Sequence, residues 1–303
     1  MIDGIINVYK EAGYTSFDVV AKLRGILKQK KIGHTGTLDP MAEGVLIVCL
    51  GKGTKLVDMI TSGTKEYEAS MRLGITTDTE DITGQILSET VLDSGLTHDK
   101  VIQVINSFVG KYNQIPPMYS AIKKDGKKLY EYARSGVQIE REPRPVEIFS
   151  IDDISVQLPN ISFKVNCSKG TYIRSLCRDI GDKLQCGGTL TGLTRSEVHG
   201  FWLKDSLKLS DIERLRDDNK LMDYVLPVDS LLKQYSACSI KDEHSKLLYN
   251  GNKLYGNQLI FNDASNPNGQ LSEIIRVYHN DEFIALYQYN NAENNYKPYK
   301  MFL

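Results

Sequence analysis

One acid stands out for where it sits. Residues 31–44 carry three glycines and a proline around Asp39, which directly precedes Pro40. Glycine and proline in that density predict an irregular loop over the whole stretch. Proline also pushes the residue before it toward extended geometry, so the carboxylate is held on a stiff segment. The apolar run over 45–50 that follows has the pattern of a buried strand. An acid fixed at the mouth of such a strand can act as a base or a nucleophile if it is ionised. The competing reading is a turn aspartate that caps a backbone N–H. The loop also holds the parts of an anion cradle, but it matches neither the Gly-x-x-x-x-Gly-Lys-Ser/Thr nor the Gly-x-Gly-x-x-Gly pattern, which argues against a nucleotide cofactor.

Arg174 is the natural partner for that acid. It lies four residues before Arg178 in a segment, 168–184, that reads as a turn and then a helix with Ile173, Leu176, Ile180 and Leu184 on its apolar face. Arginines four apart share a face and repel unless an anion lies beside them. A partly buried carboxylate needs such a partner, and the opposite charge would hold its pKa down. Tyr67 falls on the apolar side of an alternating strand over 65–73 and reads as core filler, and Tyr172 stands at a helix start. His34 has no neighbouring metal ligand; as an aromatic it can stack on a base. Lys123, Lys124, Lys127, Lys128, Arg134, Arg141 and Arg144 make 123–144 the most basic stretch, either a solvated face or a phosphate-contacting arm.

The positioning elements follow from the pattern. A strand over 4–10 leads to a helix capped by Thr15 or Ser16, with Val19, Val20, Leu23, Ile26 and Leu27 on one face. A short helix is expected over 54–61, an amphipathic helix over 98–108, a strand over 119–124, an Asp125-Gly126 turn, and a helix over 127–134. Strands are expected over 146–156, 161–167 and 190–198. Short apolar runs at 258–261, 274–278 and 283–287 predict a small β-rich C-terminal domain. The fold class is therefore α+β, with a mixed, largely antiparallel sheet and flanking helices.

Composition narrows the function classes. The 303 residues carry a net charge of −1, so no global positive field draws in nucleic acid and any such partner must be met by local patches. Five cysteines, an odd number with no Cys-x-x-Cys pair, argue against a disulfide framework or a zinc site. No signal-peptide pattern and no apolar run near the ~20 residues of a membrane span is present. A cytoplasmic protein without a membrane or metal is expected.

Several stretches, in order, resemble the TruB family, the tRNA pseudouridine-55 synthases. The loop over 33–44 resembles the family signature. The resemblance extends through 7–16, Lys65-Glu66-Tyr67, 77–84, 116–121, 169–175, Leu193 and Arg195, covering about 4–200. One departure is Glu11, where the family often has proline. The resemblance implies a pseudouridine synthase catalytic domain over 1–235 with an inserted RNA-binding arm at about 111–145. It implies a small β-rich, PUA-like C-terminal domain over 236–303. It implies isomerisation of the T-loop uridine of tRNA by base flipping, without a cofactor, by a monomer that needs no protein partner. Asp39 falls on the catalytic aspartate, Arg174 on its partner and Tyr67 on the residue stacked on the target base. Tyr172 and Leu193 line the uridine pocket, Lys10 belongs to the substrate-binding set, and His34 enters the space left by the extruded base. Lys123, Lys124, Lys127, Lys128, Arg141 and Arg144 would contact the RNA. The alternative is an RNA-binding or tRNA-folding protein that uses the same fold without chemistry.

Overall fold

The computed structural model describes residues 1–60, 63–261 and 273–303. The chain opens with β1 (Gly4–Lys10) and α1 (Ser16–Leu27). Thr15 caps α1 reciprocally: its hydroxyl accepts the Asp18 N–H and Asp18 accepts the Thr15 N–H. There follow β2 (Ile32–Thr35), β3 (Glu43–Leu50), α2 (Val57–Ile60), β4 (Lys65–Leu73), β5 (Ile75–Thr77), β6 (Ile86–Glu89), α3 (His98–Asn106) and β7 (Gly110–Gln114). The arm carries β8 (Lys123–Lys124), β9 (Lys127–Lys128) and α4 (Leu129–Arg134). Then come β10 (Arg144–Gln157), β11 (Asn160–Cys167), α5 (Ile173–Lys183), β12 (Gly188–Val198), β13 (Phe201–Trp202) and α6 (Leu209–Asp217). The C-terminal elements are β14 (Ser236–Ile240), α7 (Ser245–Tyr249), β15 (Leu259–Phe261), β16 (Ile274–His279), β17 (Glu282–Asn290) and β18 (Asn295–Met301).

The main sheet runs β1-β3-β12-β4-β11-β10-β7, with β2 added on β3 and β13 on β12. Every pairing is antiparallel except β3 with β12. The alternation in β4 buries Tyr67, Ala69, Met71 and Leu73 against α3 and α5, in a core shared with Val101, Ile105, Leu176 and Ile180. Beyond β12, β3 is buried on both faces. One face packs on α1 and α6. The other packs through Val45, Ile47 and Cys49 against Leu286 and Phe302 of the C-terminal strands. Those strands form a second sheet, β15-β14-β16-β17-β18, with its own core around Cys238, Ile275, Val277, Tyr287 and Tyr296.

A fork in this sheet makes room for the site. β1 covers one edge of β3 along its length. The other edge is divided: β2 takes Ile47 to Leu50, and β12 takes Glu43 and Gly44. Residues 36–42 fill the gap between the two.

The irregular loop is thus shorter than its glycine content predicts. Ile32–Thr35 is a strand, because the edge of β3 supplies hydrogen-bond partners that outweigh a weak local propensity. The strand expected over 119–124 is reduced to Lys123–Lys124, paired with Lys127–Lys128 across a two-residue turn. Asp125 and Gly126 have φ of 51° and 81°, as a type I′ hairpin requires. The helix expected from 127 therefore begins at Leu129. Residues 111–114 pair with β10, so the excursion from the sheet spans 115–143. The helix expected over 54–61 splits into a 3-10 turn (Gly51–Leu56) and α2, and Thr61 lies outside the described residues.

Gly44 ends the loop where β12 crosses. It has φ +106°, and a Cβ there would sit 2.3 Å from the Arg195 carbonyl oxygen and 2.8 Å from its nitrogen. Gly44→Ala should lower unfolding stability by roughly 2–4 kcal/mol, since rigid backbone cannot yield and φ is unfavourable for a side chain. A urea midpoint equal to wild type would contradict this.

Candidate active site

The loop that carries Asp39 is tied down from behind. Ser16 at the start of α1 accepts the Leu38 N–H at 2.9 Å, and Leu38 itself is buried. The Pro40 carbonyl accepts the Gly13 N–H at 2.8 Å and the Lys10 ammonium at 3.2 Å. Lys10 also donates to the carbonyls of Ala42 and Glu11. It is 0% exposed and lies behind the loop, outside the cavity lining. Burial pushes its ammonium down to about 8, with Asp39 opposing.

Asp39 meets Arg174 side-on. Arg174 Nε lies 2.8 Å from Oδ2, and Nη2 donates to Oδ1 at 3.0 Å. Arg174 comes from the first turn of α5 and is itself buried. Its Nη2 also donates to the Tyr119 carbonyl and its Nη1 to the Thr79 carbonyl, each at 2.9 Å. Asp81 Oδ2 lies 3.7 Å from Nη1. The repulsion between Arg174 and Arg178 is relieved as the spacing requires, because Arg178 turns to Glu80 and Asp179. Arg174 and Lys10 pull the Asp39 carboxyl down, but burial is the larger influence and Asp81 adds to it, so the pKa lies above the ordinary value.

In front of the pair lies a cavity of about 590 Å³. Tyr67, Tyr172, Leu193 and Arg195 line it with Asp39 and Arg174. Tyr67 and Arg195 are cross-strand partners on β4 and β12, and Leu193 pairs Ala69 beside them. Burial pushes the Tyr67 phenol above its ordinary value, and Arg195 opposes it. Arg195 is wholly buried. Its Nε donates to Val45 O at 2.8 Å and its Nη2 to Gly36 O at 3.0 Å, while Nη1 has no hydrogen-bond partner among the described residues. It bridges the fork in the sheet. Tyr172 is set by Gln114, whose amide holds the Tyr172 N–H at 2.9 Å and its carbonyl at 3.0 Å.

His34 lies on β2 opposite Val48 and outside the cavity lining. Burial first, then Arg195, lower its pKa, so it is neutral at pH 7. The arm closes over the cavity through Tyr119, Ser120, Tyr130 and Arg134. Lys128 and Arg134 flank the Tyr130 ring at 5.3 and 5.2 Å. Lys123 and Lys127 are exposed, Lys124 donates to Glu140 O, and Arg144 begins β10. Arg141 departs from the expected RNA-facing row: it turns inward, 3.5 Å from Glu80, and donates to Pro116 O at 2.9 Å.

Sequence reasoning did not single out Asp81 or Tyr119 for the site. The acids over 78–81 were visible in the sequence, but only the fold shows which of them reaches Arg174. Among the described residues, no group of three or more His, Cys, Asp or Glu is placed to hold a metal. No helix among them is long and apolar enough to cross a membrane.

Known proteins resemble this chain in sequence and fold. The N-terminal domain of the TruB family pseudouridylate synthases matches residues 24–173, and the tRNA pseudouridylate synthase B C-terminal domain matches 174–233. The tRNA pseudouridine synthase B of Lachnoclostridium phytofermentans is 50% identical over 312 aligned residues, covering 100% of both chains. That of Clostridium tetani is 46% identical, covering 95% of this chain and 96% of its own. Among solved structures, a Cbf5-Nop10-Gar1 complex contains a chain with a TM-score of 0.70 at 26% identity, covering 99% of this chain and 85% of the other. An H/ACA RNP bound to a substrate RNA containing 2'-deoxyuridine shares the fold with the same TM-score and coverage at 24% identity. Matched along its whole length and at half its positions, the chain belongs to the TruB family of pseudouridylate synthases.

Proposed function

We propose that this chain converts the T-loop uridine of tRNA, position 55, to pseudouridine. The side-on Asp39–Arg174 pair at the wall of a cavity faced by two tyrosines and a leucine carries this reading. The isomerisation breaks the N1–C1′ bond, turns the base, and forms a C5–C1′ bond. The C5 proton leaves to solvent and N1 gains one, so atoms balance without a cofactor. Asp39 is the group that acts at the ribose, and Arg174 holds it in one orientation. Tyr67 stacks on the base while Tyr172 and Leu193 wall it in. Extruding a stacked base costs a few kcal/mol, which stacking in such a pocket offsets. His34, neutral and next to the loop, is suited to fill the gap left in the RNA. Lys10 acts behind the loop, through the carbonyls that shape it.

The exposed lysines of the arm and Arg144 grip the T-stem-loop, and the arm's rings over the cavity give it a second way to hold RNA. Residues 1–235 form the catalytic unit. Residues 236–303 form a PUA-like second RNA contact. The protein works as a cytoplasmic monomer with no obligate protein partner.

Asp39→Asn should abolish tritium release from a T-stem-loop containing 5-tritiated uridine and leave RNA binding near normal. Undiminished release would remove Asp39 from the chemistry. Wild type that binds this RNA yet releases no tritium would make the chain an RNA-binding protein without chemistry. Arg174→Ala should slow turnover by about 100-fold or more, because the acid loses both its aim and its counter-charge. The same change removes a cation that lowers the Asp39 pKa. The active, ionised form should then appear only at higher pH, and the acid limb of the rate profile should move up. An acid limb at the wild-type pH would show that Arg174 does not tune Asp39. Reversing charge at Lys123 and Lys124 should weaken tRNA binding and flatten the slope of log affinity against log salt. An unchanged slope would make the hairpin a solvated face.

A further inference from the structure

A second charged cluster sits one helical turn behind the Asp39–Arg174 pair. Its centre is Glu80, which is 8% exposed. The Ser175 hydroxyl donates to Oε2 at 2.6 Å, Arg178 Nη1 donates to Oε1, and Arg141 Nη1 lies 3.5 Å from the same oxygen. Arg178 also donates to Asp179 Oδ1 at 2.7 Å and to Ile115 O at 2.9 Å. Arg141 holds Pro116 O. Ile115 and Pro116 are where the arm leaves the sheet, and Arg141 is near where it returns. One carboxylate therefore gathers both roots of the arm and helix α5.

The backbone of Glu80 belongs to the catalytic side. Its neighbour Thr79 offers the carbonyl that Arg174 Nη1 holds at 2.9 Å, and its neighbour Asp81 lies 3.7 Å from that nitrogen. Glu80 has φ 64°, a left-handed conformation that disfavours residues with a side chain. Glycine would be the easy choice at such a position. A glutamate there instead brings a carboxylate that takes two hydrogen bonds, from Ser175 and Arg178, with the Arg141 guanidinium beside it.

We infer that Glu80 is a positioning residue for the reaction: it locks the arm's roots to the turn that holds the outer edge of Arg174, so that the seat of the arm and the aim of Asp39 form one rigid unit. The inference rests on the function proposed above. Tyr119 completes the unit, since its carbonyl on the arm takes another N–H of Arg174 at 2.9 Å. The arm then does more than hold RNA: its seating sets the orientation of the acid.

Glu80→Gly separates this role from a merely structural one, because it removes the ties while relieving the left-handed backbone. The variant should keep its secondary structure below its own melting temperature, and its rate is read at saturating T-stem-loop so that any loss of the arm's grip does not enter it. Its single-turnover rate of pseudouridine formation should fall about 10- to 100-fold, the scale of a slightly misplaced catalytic group. Glu80→Gln, which keeps the shape and one carbonyl acceptor, should recover part of that loss. A Glu80→Gly protein that turns over at the wild-type rate overturns the inference. If that variant does not fold, Glu80→Gln at the full wild-type rate overturns it instead. A wild-type protein that forms no pseudouridine overturns the function reading, and this inference falls with it.

Discussion

The contact between Asp39 and Arg174 governs the site. A carboxylate partly withdrawn from water costs free energy unless a cation and hydrogen bonds compensate. Arg174 answers with two nitrogens, one within 3.0 Å of each carboxylate oxygen, a two-pronged approach that lysine lacks. The guanidinium must then be satisfied on its other edges. The carbonyl of Thr79 and the carboxylate of Asp81 do so from one turn, and the carbonyl of Tyr119 does so from the arm. The two acids near one arginine also oppose each other, which is part of why the Asp39 carboxyl sits above its ordinary value.

The sheet is arranged to hold that acid still. β3 has only two edges, and three strands need them. The resulting fork is where Asp39 stands, and two buried cations close it. Arg195 spans the gap from β12 to Gly36 and Val45, and Lys10 gathers the carbonyls of Pro40 and Ala42. Neither has an acid for its main partner. Carbonyl dipoles serve instead.

The charge balance agrees with this local design. A chain with net charge −1 does not attract tRNA from all sides. Lys123, Lys124, Lys127 and Lys128 share a hairpin that stands off the sheet, beside tyrosine rings that offer stacking faces. The arm's roots are internally paired through Glu80, Arg141 and Arg178, while Lys123 and Lys127 are left to solvent.

Much was legible in the residues alone. The alternation in β4, the apolar run of β3 and the cap at Thr15 are local signals, and each produced the element it predicts. The loop marked itself through glycine and Asp-Pro chemistry, and motif order named its partners Tyr67, Tyr172, Leu193 and Arg174. Other features depend on which segments meet. Whether 32–35 is loop or strand was decided by a free edge on β3. Which of Glu80 and Asp81 faces Arg174, and that Arg141 and Lys10 turn inward, was decided by packing between segments up to about a hundred residues apart. The direction of the Asp39 shift belongs to the same class. Sequence supplies the charges, but burial sets what each charge costs, and burial exists only once the chain has folded.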